Sequence, residues 1–249
     1  MLSCDKYADL WTPFFQLFRR FWPDCPFPVY LVSNRLRADI ASVHQIQVGA
    51  DLSWSDTLAT ALRRLDQPYV LLVLDDLFLL ERVPSGEVVA LLAWMIDSGA
   101  NHLRLHPPPP PDRPHDARVG IVSPGALYRT STQFSAWRKS ALLELLVPGE
   151  SAWDFEIAGS GRSDRLGGFY STWRPSVSIV NGVIKGKWRR DALKRVRALG
   201  ADVDLAARPL MTPREAALFR LKRVRSRLLL LLPAPYQRRV RDLLLQGRL

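Results

Sequence analysis

The stretch from Tyr69 to Phe78, Tyr-Val-Leu-Leu-Val-Leu-Asp-Asp-Leu-Phe, constrains this chain more than any other. Its six leading apolar residues read as a strand buried on both faces, the kind found in parallel sheets covered by helices. Asp75 and Asp76 follow at the strand's carboxyl end. Two acids side by side cost too much free energy to lie unpaired against a core. At the carboxyl end of a parallel strand they would instead face the crevice where open α/β sheets bind ligands. Adjacent aspartates suit a hard cation such as Mg²⁺ or Mn²⁺, and through it phosphate oxygens. The plain alternative is a pair of turn or N-cap aspartates, positions at which Asp is common.

The surrounding pattern favours the crevice. Met1 to Asp5 reads as the last residues of a strand, which is either short or begins upstream of Met1. A helical stretch follows from about Asp9 to Phe21, with Trp11, Phe14, Phe15, Phe18 and Phe21 at core spacing. Strands are expected at Val29–Ser33 and Ile46–Gly49, and a helix capped by Ser53 or Ser55 runs to Leu65. Strand and helix therefore alternate into the Tyr69 strand, the mark of a doubly wound sheet. Further on, the pattern gives a helix over Ser85–Asp97, a strand at His102–Leu105 and a polyproline connection over Pro107–Pro111. A strand is expected over Arg118–Ser123, an amphipathic helix over Ser135–Leu146 and a short helix over Glu150–Ile157. Gly159–Gly168 reads as a mobile loop, and Asn181-Gly182 as the turn of a hairpin. Three basic helices are expected over residues 189–199, 213–231 and 235–246.

A chain of 249 residues, 47% hydrophobic, can bury a large core. Cys4 and Cys25 form no metal framework, and so few thiols suit a reducing, intracellular setting. No secretory leader pattern and no run of about 20 apolar residues is present, so a soluble or membrane-peripheral chain is expected. The four histidines lack zinc spacing, and no Gly-rich phosphate loop or G-x-S-x-G serine occurs. Dehydrogenase, P-loop kinase, zinc hydrolase and serine hydrolase readings are thereby disfavoured.

What remains is acidic and aromatic. Glu150, Asp154 and Glu156 cluster around Trp153, and a carboxylate against an apolar wall has a raised pKa and can act as a general base. Glu156, between Phe155 and Ile157, is the strongest candidate. Glu150 could equally be a helix N-terminal charge and Asp154 solvated surface. With Ser3-Cys-Asp-Lys-Tyr7, Trp22-Pro-Asp-Cys-Pro26, Trp54-Ser-Asp56 and the Tyr69 strand, this cluster stands in an order that resembles bacterial glycosyltransferases of surface-polysaccharide and lipopolysaccharide synthesis. These have a GT-A-like nucleotide-sugar fold, and the resemblance covers roughly residues 1–190.

The resemblance implies a mostly parallel, Rossmann-like sheet flanked by helices over residues 1–188; the charge and helical pattern give a basic helical appendage over 189–249. It implies transfer of a sugar from a nucleotide diphosphate donor to a glycan or lipid-linked acceptor. Asp5, Tyr7, Trp54 and Asp56 would meet the nucleotide. Asp76, oriented by Asp75, would hold a divalent cation (Mn²⁺ or Mg²⁺) at the diphosphate. Glu156 would deprotonate the acceptor hydroxyl with inversion, Glu150 and Asp154 being its reserves. Lys185, Lys187 and Trp188 would approach the diphosphate from the far side. Two departures bear on the metal: the acids are adjacent where the family has Asp-x-Asp, and no histidine follows His115. Lys/Arg neutralisation of the diphosphate is a substitute.

The charge is uneven. Residues 185–249 hold 18 Lys/Arg against 5 Asp/Glu, whereas the rest is close to neutral. Basic helices with leucine faces, over 213–249, suit an anionic membrane surface. That would place the protein in the cytoplasm, peripherally on the inner face of the cell membrane. Nucleic acid is the competing partner, disfavoured by the lack of interleaved aromatics. A non-catalytic basic binding module, or a degenerate transferase that binds nucleotide without turnover, are the rival functions.

Overall fold

The computed structural model describes residues 1–107 and 109–246. The strands are β1 (Tyr30–Ser33), β2 (His44–Gln47), β3 (Tyr69–Leu72), β4 (Leu77–Leu79), β5 (His102–Arg104), β6 (Arg113–Pro114), β7 (Val119–Ile121), β8 (Ser135–Arg138), β9 (Phe169–Thr172), β10 (Ile179–Asn181), β11 (Val183–Ile184) and β12 (Lys187–Trp188). The helices are α1 (Trp11–Phe21), α2 (Trp54–Arg63), α3 (Ser85–Asp97), α4 (Lys139–Leu145), α5 (Ala152–Asp154), α6 (Ser160–Arg162), α7 (Arg190–Ala198), α8 (Pro213–Leu229) and α9 (Ala234–Gln246).

A 6-stranded sheet runs in the order β3-β8-β5-β9-β7-β6. Its β3 edge continues into a parallel wing, because Leu2 bridges in parallel to both Leu74 and Val32, and β1 pairs in parallel with β2. Backbone bonds from Leu2 N to Val73 O (2.8 Å) and Val32 N to Met1 O (2.9 Å) close that junction. β8 runs antiparallel to both β3 and β5, β5 runs parallel to β9, and β7 is antiparallel to β9. So β1, β2, β3, β5 and β9 share one direction, with β8 and β7 reversed among them. This is a mixed α/β sheet with helices against it; the expected mostly parallel pairing holds in the wing and between β5 and β9, whereas the other four pairings of the 6-stranded sheet are antiparallel.

Two apolar clusters flank the sheet. One gathers α1, α3 and α7 around Phe14, Leu17, Val88, Met95, Leu103 and Val196. The other sets α2 and α4 with Phe155 against Leu72 and Trp137. α2 opens where the sequence indicates, with the Ser53 hydroxyl accepting from Asp56 N at 3.1 Å. No described helix is long and apolar enough to cross a membrane.

Three local expectations are corrected. Ser135–Arg138 is the strand β8, and only Lys139–Leu145 is helical. Ser135, Ala136 and Trp137 are all buried, because β8 lies between β3 and β5. The Gly159–Gly168 stretch coils through Ser160–Arg162 and Ser163–Arg165 before β9. Arg129 ties it down, donating to Ser163 Oγ (3.0 Å) and Leu166 O (3.0 Å). Asn181-Gly182 does not turn a hairpin. β10 pairs instead with β4, and the hairpin forms between β11 and β12 across Lys185 and Gly186, both at positive φ (49° and 74°). Gly182 is needed for approach: a Cβ there would lie 2.4 Å from Phe78 Cε2 and 2.7 Å from Trp188 Cζ3. Of the polyproline run, Pro108 lies outside the described residues.

Candidate functional site

The strand carrying the acid pair stops its ladder at Leu72, and Asp75-Asp76 form the turn into β4. Asp75 is withdrawn from water, and Asp76 is half-buried with its Oδ1 out of reach of solvent. The Asp75 side chain, only 8% exposed, accepts a hydrogen bond from the Ser3 hydroxyl. That hydroxyl in turn accepts from the Trp11 indole N–H at 2.7 Å. Burial pushes the Asp75 carboxyl up to about 7, partly offset by Ser3 and Arg208. Asp76 is raised well above the usual carboxylate range by burial first, and next by Asp75. Its Oδ1 is buried with no partner among the described residues. The backbone around it is fixed, since Gly182 N donates to Asp76 O at 2.7 Å.

Glu156 lies near enough for its charge to raise Asp76 further. It sits in a π-helical turn, Phe155–Gly159, a local widening that recurs at functional sites. Its Oε1 accepts from Thr132 N (2.7 Å), Thr132 Oγ1 (2.9 Å) and Ser131 Oγ (3.4 Å). At 6% exposure, burial still outweighs these donors and the Glu156 carboxyl is raised. A positioned carboxylate of raised pKa is suited to proton abstraction near neutral pH.

A cation reaches the same corner from far along the chain. Arg208, on the connection between α7 and α8, donates Nε and Nη2 to the two oxygens of Asp9 (2.9 and 2.7 Å), 199 residues away. Its guanidinium stacks 4.1 Å from the centre of the Tyr7 ring, and its charge lowers the pKa of both Asp75 and Asp76. Nothing in the local pattern around Arg208 signals this, and the same holds for Ser3, Trp11 and Thr132.

The other candidates divide. Tyr7 is brought to the acid pair through Arg208 and feels the charge of both aspartates. The Asp5 carboxylate accepts from the backbone N–H groups of Asn34 (3.0 Å), Arg35 (3.0 Å) and Leu36 (3.2 Å). Asp56, in the first turn of α2, accepts from the Ser53 hydroxyl (2.5 Å) and from Gly149 N (3.1 Å). Trp54 packs on Phe155 at 5.4 Å, its indole N–H buried without a partner among the described residues. Glu150 forms a two-pronged pair with Arg162 (2.8 and 2.6 Å). Asp154 is an exposed capping-box acid bonded to Ser151. Lys187 pairs with Glu215 at 2.5 Å, Lys185 is an exposed turn residue, and Trp188 is fully buried, stacked on Phe78 at 5.3 Å.

Among the described residues, no group of three or more His, Cys, Asp or Glu side chains is placed to hold a metal by itself. The unpartnered Asp76 oxygen and its neighbour Asp75 form a hard, all-oxygen donor set, which fits Mg²⁺ or Mn²⁺ provided other ligands come from a substrate.

No family model and no curated protein matches the chain. Among solved structures it is similar to a UTP-bound UGPase from Acinetobacter baumannii, at 11% identity and a TM-score of 0.47, over 87% of this chain and 90% of that one. A likeness at that level leaves function to be argued from the site itself.

Proposed function

We propose that the chain is a nucleotide-sugar-dependent glycosyltransferase, which moves a sugar from a nucleoside diphosphate to a hydroxyl of a bacterial surface glycan or lipid-linked acceptor. The observation that carries this reading is the buried, unpartnered Asp76 oxygen at the strand-end turn, with Asp75, Glu156 and Arg208 all acting on it. Desolvated carboxylates held above their usual pKa are costly to keep without a partner, and such groups cluster at functional sites. Asp76, with Asp75 beside it, would take the divalent cation; that ion supplies charge neutralisation at the diphosphate. Arg208 adds a fixed positive charge on the same side. Glu156 accepts the proton of the acceptor hydroxyl as its oxygen bonds to the anomeric carbon. The bond to the diphosphate breaks with inversion, and nucleoside diphosphate leaves. Thr132 and Ser131 hold Glu156 in position for that transfer.

Calorimetric titration with a nucleoside diphosphate, with and without Mn²⁺, tests the reading. Binding that is lost in Asp76→Ala supports it; no binding of any nucleoside diphosphate to the wild type overturns it.

One further observation favours a membrane-facing placement. On α8 and just beyond it, Leu218, Leu221, Val224, Leu228 and Leu231 are 52–80% exposed, at three- and four-residue spacing, among Arg220, Lys222, Arg223, Arg225 and Arg227. An apolar stripe flanked by cations suits an anionic leaflet, where a lipid-linked acceptor resides. Sedimentation with anionic vesicles, sensitive to salt, is the expected outcome. Binding to vesicles or RNA with no affinity for any nucleotide would favour the non-catalytic module.

A further inference from the structure

A second buried charge lies outside the site described. Arg104 closes β5 and is 0% exposed, yet it forms no ion pair among the described residues. Nη1 donates to Pro109 O at 2.7 Å, while Nε and Nη2 are buried with no partner among the described residues. The acids whose charge reaches it are engaged elsewhere: Glu156 with Thr132, and Asp112 with Ser123 N at 2.8 Å. The neighbouring Arg129 offers no counterion, being a buried cation itself, satisfied by carbonyl oxygens and the Ser163 hydroxyl. A guanidinium in this condition is strongly disfavoured unless something anionic completes it. Burial pulls Arg104 down to about 10, in keeping with that strain.

Arg104 lines a cavity of about 630 Å³, within the range of small-molecule sites. Its walls are the Pro109–Pro111 segment, the turn that follows β7, and the elbow between α8 and α9. Ser123 lines the same space, and its hydroxyl is also buried without a partner among the described residues. Nε and Nη2 are the two parallel N–H groups of the guanidinium edge, the pair that meets a carboxylate or phosphate in bidentate fashion. The elbow is pinned over the cavity by Gln237, which accepts from Leu127 N at 2.9 Å and donates to Leu232 O at 2.9 Å.

We propose that this cavity is a binding site for an oxyanion group, a phosphate or a carboxylate, gripped by Nε and Nη2 of Arg104 with the Ser123 hydroxyl as third donor. The cavity lining includes neither Asp76 nor Glu156, so this binding does not depend on the transferase reading above.

The test follows the arginine Nε–H resonances of the full-length protein by NMR, and heat by calorimetry, at constant ionic strength. The probes are inorganic phosphate and sodium glucuronate, added separately. Saturable one-to-one binding of either probe, with a shift of the Arg104 resonance, is expected. Arg104→Lys, which keeps the charge but not the fork, should weaken it at least about tenfold. Ser123→Ala should weaken it less, and Asp76→Asn not at all. Binding of phosphate alone marks a phosphorylated ligand, and binding of glucuronate alone a carboxylate-bearing one. Absence of any Arg104 shift in the wild type, or binding unchanged in both variants, overturns the proposal.

Discussion

The acid turn and the basic helices handle charge in opposite ways. Asp75, Asp76 and Glu156 are few, buried, and raised in pKa mainly by loss of water. The cations of α8 are many and lie mostly in water, their helix buried chiefly through Leu229. Charge number is thus a poor guide to where free energy is concentrated. A solvated cation contributes little to stability either way, whereas a desolvated carboxylate must be compensated by a partner or a ligand. The same logic draws attention to Arg104, whose Nε and Nη2 are both buried without a partner among the described residues.

The largest way to break this contrast is to remove the buried acids. Asp76→Ala should lower turnover of a nucleotide sugar by about 10²–10³, the scale of removing one preorganised electrostatic contact. Equal activity in steady-state assays of the two proteins would contradict the role given to Asp76. The second effect is on stability. Unfolded Asp75 titrates near 4 and the native group at about 7, so across that window the native state binds more protons than the unfolded one. Stability therefore falls as pH rises from about 4 to about 7, and the loss is complete above the native value. Asp75→Asn, still able to bond Ser3, should flatten that slope and stabilise the protein by roughly 1–3 kcal/mol at about pH 8. Urea unfolding at about pH 5 and about pH 8 checks this, and an unchanged slope would show that the acids are not desolvated.

A smaller effect sharpens the geometry. Gly182→Ala would drive a methyl group into the Phe78–Trp188 stack behind the Asp76 turn, costing about 1–3 kcal/mol, measurable as a fall in the urea midpoint. The smallest belongs to the basic helix. Changing Arg220, Arg223, Arg225 and Arg227 together to Gln should alter stability by less than about 0.5 kcal/mol per site. The same change should weaken adhesion to anionic vesicles by about 1 kcal/mol per charge removed.

The acid turn was legible because an apolar run that stops at two carboxylates has few places to go in an α/β sheet. Glu156 was legible from its apolar neighbours Phe155 and Ile157, although its hydrogen bonds to Thr132 were not. Elsewhere, long-range pairing overrode local pattern. Ser135–Arg138 reads as the first turn of a helix, but two neighbouring strands claim its backbone. Asn181-Gly182 is a strong turn signal, yet Ile179–Asn181 is held antiparallel to β4, and the turn moves to Lys185-Gly186. Asp5 and Asp56 were set against the nucleotide by the family resemblance alone, and no local pattern announced that their oxygens accept from backbone N–H groups. Arg208 and Arg104 were illegible, since their significance lies in what they meet across 199 residues or fail to meet at all.

The most direct test of the account is release of nucleoside diphosphate from a panel of nucleotide sugars, run on wild type and Glu156→Gln with bacterial glycan and lipid acceptors. The account expects one donor class to be turned over by the wild type, with release lowered about 10²-fold or more in Glu156→Gln while calorimetric donor binding is kept. Absence of release with every donor, or undiminished release in Glu156→Gln, would contradict it.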